Sequence, residues 1–166
     1  MLRRSKTDED ERGRAQPTRV LVVDDDPDVC ELVSRLLEQA TYTVDRCGDH
    51  NDAVQVLKKA DPAYSAVVID FQSGGTSSSL KLLDAVRHLD EPRKAQTPTI
   101  ILTSTDTNRV FAWQSGCDGF LVRPFHAQEL VEAVHEMLER TDDERSQHRR
   151  EMMRQARTAQ ARRMAE

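Results

Sequence analysis

Short apolar runs alternate along this chain with longer stretches in which apolar residues recur every three or four positions. Val20-Leu21-Val22-Val23 is continuous and largely β-branched, the pattern of a strand buried on both faces. Asp24, Asp25 and Asp26 end it. Pro27 suits the first turn of a helix, with Asp26 as its N-cap. Val29, Leu32, Val33, Leu36 and Leu37 follow at helical spacing. Tyr42 to Val44 predicts a short second strand, broken by Gly48. Ala53, Val54, Val56, Leu57 and Ala60 predict a second helix, stopped at Asp61-Pro62. Ala66 to Ile69 is a third strand ending at Asp70, and Ser73 to Ser79 reads as a Ser/Gly-rich loop. Leu80, Leu82, Leu83, Val86 and Leu89 give a third helix, and Pro98 to Thr103 a fourth strand. A short fourth helix covers about Asn108 to Ser115, where Gly116 is a natural stop. Phe120 to Val122 is a fifth strand. Leu130, Val131, Val134, Met137 and Leu138 mark an amphipathic fifth helix.

Strands alternating with helices imply an α/β fold whose parallel sheet is covered on both faces. Right-handed crossovers leave few arrangements. A flavodoxin-like, doubly wound five-stranded sheet of order 2-1-3-4-5 with five helices is the natural candidate. A site in such a sheet lies at the carboxyl ends of the strands, near the switch between strands 1 and 3. Asp24, Asp25 and Asp70 would converge there.

Three adjoining carboxylates repel one another, so gathering them is costly unless a cation sits among them. An oxygen-rich site with few protein ligands suits Mg²⁺, which keeps several waters and binds phosphate oxygens. With charge so neutralised, a phosphoryl group can approach a carboxylate, and one carboxylate can act as nucleophile. Spacing alone does not say which, but Asp70 alone follows the central strand. The plainer reading has Asp24 to Asp26 only capping a helix. Thr103 ends the fourth strand, where its hydroxyl could bond a phosphoryl oxygen or simply close a strand. Arg123 ends the fifth strand before Pro124, as a surface charge or as a partner for carboxylate or phosphate. A cis bond at that proline would aim Arg123 inward.

Composition changes this picture mainly at the ends. Residues 1–18 mix both charge signs with almost no apolar side chains and are expected to be a disordered N-terminal tail. Residues 19–140 form the expected globular domain. Residues 141–166 are an Arg-rich tail or helical extension: from Arg145 to Ala165 there are seven Arg and one Glu. A solvated tail, a partner-binding helix and a nucleic-acid contact are its three readings, the last weakened by the lack of stacking aromatics. A net charge of −5 argues against a whole-chain nucleic-acid binder. Cys30, Cys47 and Cys117 lack metal or redox spacing, and Cys30 and Cys47, in apolar segments, read as inert thiols. No export signal or membrane-length apolar run is evident, so a cytoplasmic protein is expected. No dedicated DNA-binding domain is expected after Arg140, since one needs roughly 60 or more residues.

Taken together, these residues resemble the receiver domain of two-component response regulators, from about Arg19 to Arg140. VLVVDDDPDVCELVSRLLE resembles a receiver's first strand, acidic pocket and first helix. AVVID is similar to the third strand with its phosphoacceptor. TIILTS resembles the fourth strand with its hydroxyl residue, and SGCDGFLVRPFHAQELVEAV the fifth strand, basic-Pro pair and fifth helix. The resemblance implies that Asp70 is the phosphoacceptor. It implies Mg²⁺ held directly by Asp25 and Asp70, by Asp24 through water, and by the backbone carbonyl of Gln72. Thr103 would be the switch hydroxyl and Phe120 the switch aromatic that turns inward. A histidine kinase or phosphotransfer protein would be the donor. A downstream protein would bind the surface of the fourth helix, fifth strand and fifth helix, with a homodimer left open.

Departures from the family pattern bear on function. Arg123 stands where receivers carry Lys, a planar fork in place of a point charge. FQSGGTSSSL after Asp70 lacks a stiffening proline. The segment from Thr103 to Phe120 is short enough to abbreviate the fourth helix. These features motivate a second reading, a pseudo-receiver that binds partners without phosphate control. A remote third takes Asp24-x-Asp26 as the nucleophile and acid of a Mg²⁺-dependent haloacid-dehalogenase-like phosphatase. On the first two readings the protein is not an enzyme beyond its own phosphotransfer and dephosphorylation.

Overall fold

A computed structural model describes residues 17–70 and 75–166. Five parallel strands, β1 (Arg19–Asp24), β2 (Thr43–Cys47), β3 (Ala66–Asp70), β4 (Thr99–Thr103) and β5 (Gly119–Val122), form one sheet of order β2-β1-β3-β4-β5. The helices are α1 (Pro27–Gln39), α2 (His50–Lys59), α3 (Gly75–Arg87), α4 (Pro92–Ala95), α5 (Arg109–Ser115), α6 (Ala127–Glu139) and α7 (Asp142–Ala165). The flavodoxin-like order expected from the alternation is the observed one.

Side chains on a strand alternate between faces, so a sheet covered on both sides needs apolar residues at every position. Val20, Val22, Val68, Ile100 and Leu102 face one layer, packed with Val33 and Leu37 of α1 and Leu130, Val134 and Met137 of α6. Leu21, Val23, Val67, Ile69 and Ile101 face the other. That second layer holds Ala53 and Leu57 of α2, Leu82 and Leu83 of α3, Ala112 and Trp113 of α5, and Ala156 of α7. All residues of β3 and β4 are buried. Gly119 lets β5 lie against β4, since a Cβ there would sit 2.9 Å from Ile100 Cγ1.

Several bounds differ from the sequence reading. The second strand runs on to Cys47, because its polar residues lie at the sheet edge, where half-exposed Asp45 and Arg46 are tolerated. The third helix begins at Gly75, inside the stretch read as loop. Short hydroxyl side chains are poor mid-helix residues but suit a first turn, so a serine run imitates a loop. Seven helices stand among the described residues where five were expected. The extra α4 is one turn with Pro92 at its start, too short to show periodicity. The extra α7 occupies the C-terminal segment. It does not continue α6: Arg140 is extended (φ −74°, ψ 141°), and Thr141 caps a new helix. The fourth helix is indeed brief, seven residues closed by Gly116 at φ +102°. No helix among the described residues is long and apolar enough to cross a membrane.

Candidate functional site

Asp24 and Asp70 are direct neighbours in the β1–β3 ladder, each the last residue of its strand. Neighbouring parallel strands lie about 4.8 Å apart, so the two carboxyls share one side of the sheet's carboxyl edge. They are 2% and 1% exposed, which is exceptional for acids. Asp24 Oδ1 accepts from the Asp26 backbone N–H at 2.8 Å, while Asp24 Oδ2 is buried with no hydrogen-bond partner. Burial pushes the Asp24 carboxyl up to about 7, with Asp70 and Asp25 adding to the rise against the Asp26 N–H. Asp25 is partly buried one residue on, and its charge acts on both neighbours. Asp26 turns away as the N-cap of α1, accepting from Asp28 N at 3.0 Å and Val29 N at 3.3 Å. The capping reading therefore holds for the third aspartate and not for the first two.

Arg123 closes the site from the other side. Its backbone N–H donates to the Thr103 carbonyl at 2.8 Å, which sets the end of β5 beside the end of β4. Its guanidinium holds Asp70 in two prongs, Nη1 to Oδ1 at 3.2 Å and Nη2 to Oδ2. The Arg123–Pro124 peptide bond is cis. Burial raises the Asp70 carboxyl and Arg123 pulls it back. Thr103 is 6% exposed, and its hydroxyl oxygen accepts from Thr105 N at 3.3 Å. Phe120 is buried in the second layer with the Arg109 guanidinium 4.8 Å over its ring. Gln72 lies outside the described residues.

Among the described residues no group of three or more His, Cys, Asp or Glu side chains closes into a ready metal cage. Mg²⁺ does not need one: it is commonly held by one or two carboxylates with waters and substrate oxygens. A buried carboxylate oxygen without a donor, beside two further carboxylates, is the chemistry such a cation satisfies, and in this respect the residues fit it.

The model of the response regulator receiver domain matches residues 20–135, from the start of the sheet to the middle of α6. The chain belongs to this receiver family. As a receiver it is 30% identical over 125 residues to transcriptional regulatory protein ResD of Bacillus subtilis, covering 74% of this chain and 49% of that protein. It is 32% identical over 132 residues to transcriptional regulatory protein TrcR of Mycobacterium tuberculosis, 78% of this chain and 49% of that one. The chain thus spans about half the length of the curated relatives it matches. Among solved structures, the receiver domain of Francisella response regulator 1452 is 26% identical with a TM-score of 0.63, covering 74% of this chain and 97% of that one. The receiver domain of sensor histidine kinase PA1611 from Pseudomonas aeruginosa shares the fold at 21% identity, TM-score 0.63, over 74% and 98% of the two chains. That structure holds a magnesium ion coordinated in its active-site cleft.

Sequence reasoning missed a second ionic cluster in this receiver. Asp118 is 3% exposed and accepts at Oδ2 from Arg87 at 2.9 Å and from Thr99 N at 3.0 Å. Its Oδ1 accepts from Arg149 of α7. Arg87 also donates to the carbonyls of Gly116, Ala95 and Thr97, so one side chain joins α3 to the ends of α4 and α5. No periodicity marks such a pairing. Asp118 beside Gly119 in a strand-leading turn was its one visible sign.

Proposed function

We propose that this receiver takes a phosphoryl group on Asp70 from a histidine kinase or phosphotransfer protein in the cytoplasm and signals by protein–protein contact. The observation that carries the reading is the in-register pair of buried carboxyls, Asp24 and Asp70, with a cation, Arg123, clasping the second. Asp70 is the nucleophile: one carboxylate oxygen bonds to phosphorus as the donor's P–N or P–O bond breaks and the leaving group departs with that electron pair. Asp25, Asp70 and the Gln72 carbonyl would hold Mg²⁺ directly, and Asp24 through water. The ion supplies charge neutralisation as the anionic phosphoryl group meets the anionic pocket. Arg123 releases Asp70 and turns to the incoming phosphoryl oxygens, a guanidinium being suited to either anion. Thr103 donates its hydroxyl to the same group and gives up the Thr105 N–H. Phe120, buried with the Arg109 guanidinium over its ring, follows Thr103.

The test is uptake of label from a small phosphodonor, acetyl phosphate with Mg²⁺, by wild type, Asp70→Asn and Arg123→Lys in parallel. Wild type takes label and Asp70→Asn takes none. Arg123→Lys keeps the charge but loosens the fork, so it labels at least as fast. Label surviving in Asp70→Asn removes that residue from its role. The two-pronged hold of Arg123 on Asp70 also favours a second reading, an interaction module with no phosphate control. A wild type that takes no label, and whose spectra ignore Mg²⁺ and beryllofluoride, establishes that reading instead.

A further inference from the structure

Helix α7 runs the full height of the molecule. Its first turn borders the open groove at the amino edge of the sheet, where Asp142 and Arg145 stand with Ser65 and Pro98. Its last turn reaches the carboxyl edge, where Arg163 Nη2 meets Asp106 Oδ2 at 3.0 Å. Asp106 lies in the loop between Thr103 and α5. That loop is held by local side-chain bonds: Thr105 N–H donates to Thr103 Oγ1 at 3.3 Å, and Thr107 N–H to Thr105 Oγ1 at 3.0 Å. Arg109 N then donates to the Asp106 carbonyl at 3.1 Å, at the start of α5.

The two halves of α7 are held very differently. The first half is built into the core: Arg149 reaches buried Asp118, His148 stands edge-on to Trp113 with ring centroids 5.6 Å apart, and Ala156 is buried with Met152 and Met153 beside it. Beyond Ala156 every residue is exposed. A cavity of about 210 Å³ lies between Ala159 and Arg163 on this half and Asp106 and Val110 on the body, with Ala156 at its border. Little apolar burial therefore holds the second half down. The Arg163–Asp106 pair, with side chains 67% and 37% exposed, is the tie, and exposed pairs of this kind are weak.

We propose that the distal half of α7, residues 157–165, is a self-supplied helix on the α5 docking surface, and that the Thr103–Asp106 loop gates it. The proposal rests on Asp70 being the phosphoacceptor. Drawing the Thr103 hydroxyl toward a phosphoryl group breaks the Thr105 bond and moves Asp106. The weak tie to Arg163 is then lost and the distal turns lift, while Arg149 and Ala156 keep the proximal half in place. The uncovered face, with Val110 and Arg109 beside the freed Asp106 carboxylate, accepts a partner helix that brings its own basic residue. A weak tie is what a gate requires, since a small displacement must suffice to open it.

The test is hydrogen exchange on the full chain with and without Mg²⁺ and beryllofluoride, for wild type, Asp106→Asn, Arg163→Gln and the charge swap Asp106→Arg with Arg163→Asp. Beryllofluoride is expected to speed exchange across residues 157–165 several-fold and to leave 142–156 unchanged. Either single variant should show the fast distal exchange without beryllofluoride, and the swap should restore slow exchange. Protection at residues 24–26 reports engagement of the acidic pocket separately. Protection there with unchanged exchange at 157–165 overturns the gate alone. Slow distal exchange in both single variants does the same. No response at residues 24–26 overturns the phosphoacceptor reading and the coupling together.

Discussion

At the scale of single residues, Asp24 is buried at a cost in stability. Its Oδ1 is satisfied by the Asp26 N–H, but its Oδ2 is buried without a donor, and Asp70 is its neighbour across the ladder. An unsatisfied buried group costs about 1–3 kcal/mol, more when charged. In Asp24→Asn the amide oxygen keeps the Asp26 bond and the amide nitrogen donates toward Asp70. Without metal at pH 8, this variant should unfold at a higher urea concentration than wild type, by about 1–2 kcal/mol. On the proposed reading Mg²⁺ should stabilise the wild type, and should stabilise the variant less. Urea titrations in EDTA and in Mg²⁺ measure both effects, and a variant less stable than wild type in EDTA contradicts the argument. The meeting of Asp24 and Asp70 was legible at this scale because strand ends are legible. A run of buried-strand residues stopping at an acid places that acid at the sheet's carboxyl edge. The sequence also set Asp26 apart as the cap, since it stands directly before Pro27; what no pattern showed was how completely Asp24 and Asp70 are buried.

At the scale of elements, β1, β3 and β4 and the first, second and sixth helices follow from apolar spacing, because each buries its apolar side chains. Helix α7 does not, since its arginines are spread around it and Ala156 is its one fully buried residue. It is specified at its ends instead. Thr141 and Glu144 form a capping box, with Glu144 N donating to Thr141 Oγ1 at 3.2 Å and Thr141 N to Glu144 Oε2 at 2.7 Å. Acids fill its first turn and arginines its last, as the helix dipole favours. The Thr-x-x-Glu signal stands in the sequence, masked by the expectation that a charged segment is solvated. What fastens α7 to the body is the buried Asp118 carboxylate, which no sequence pattern announces. Arg149→Leu deprives Asp118 Oδ1 of its donor, but Arg87 and Thr99 N remain. The loss should therefore be about 1–3 kcal/mol, short of the cost of stranding a buried charge completely. The exposed neighbour change Arg150→Leu should cost under about 0.5 kcal/mol. Urea unfolding followed by emission of Trp113, the chain's single tryptophan, separates the two. Equal losses would show that Arg149 does not anchor the helix.

At the scale of the whole molecule, docking of α7 makes stability depend on pH through His148. Burial lowers the His148 pKa, and Arg140 lowers it further, while Asp118 and Glu136 act the other way. The folded chain therefore binds fewer protons here than the unfolded chain, whose histidine titrates near 6.5. The contribution of neutral His148 is whole above about 6.5 and is lost as pH falls through the depressed folded value. Asp45 behaves alike in a lower window: the Tyr64 hydroxyl, then Arg19, hold its carboxyl down, so its contribution fades only below the usual carboxylate range. Asp24 opposes His148 between about 4 and 7, because its raised pKa makes the folded chain bind the extra proton. A bare pH profile of the wild type sums these opposed terms, and its slope identifies none of them. The difference between wild type and His148→Gln cancels Asp24 and Asp45 and isolates the histidine. That difference should change in favour of His148→Gln from pH 8 to pH 5.5. Exchange in the proximal half of α7 should quicken over the same range in wild type alone. A difference that stays constant with pH would mean that His148 is not held neutral against Trp113, and that α7 is seated by Ala156 and Arg149 without it.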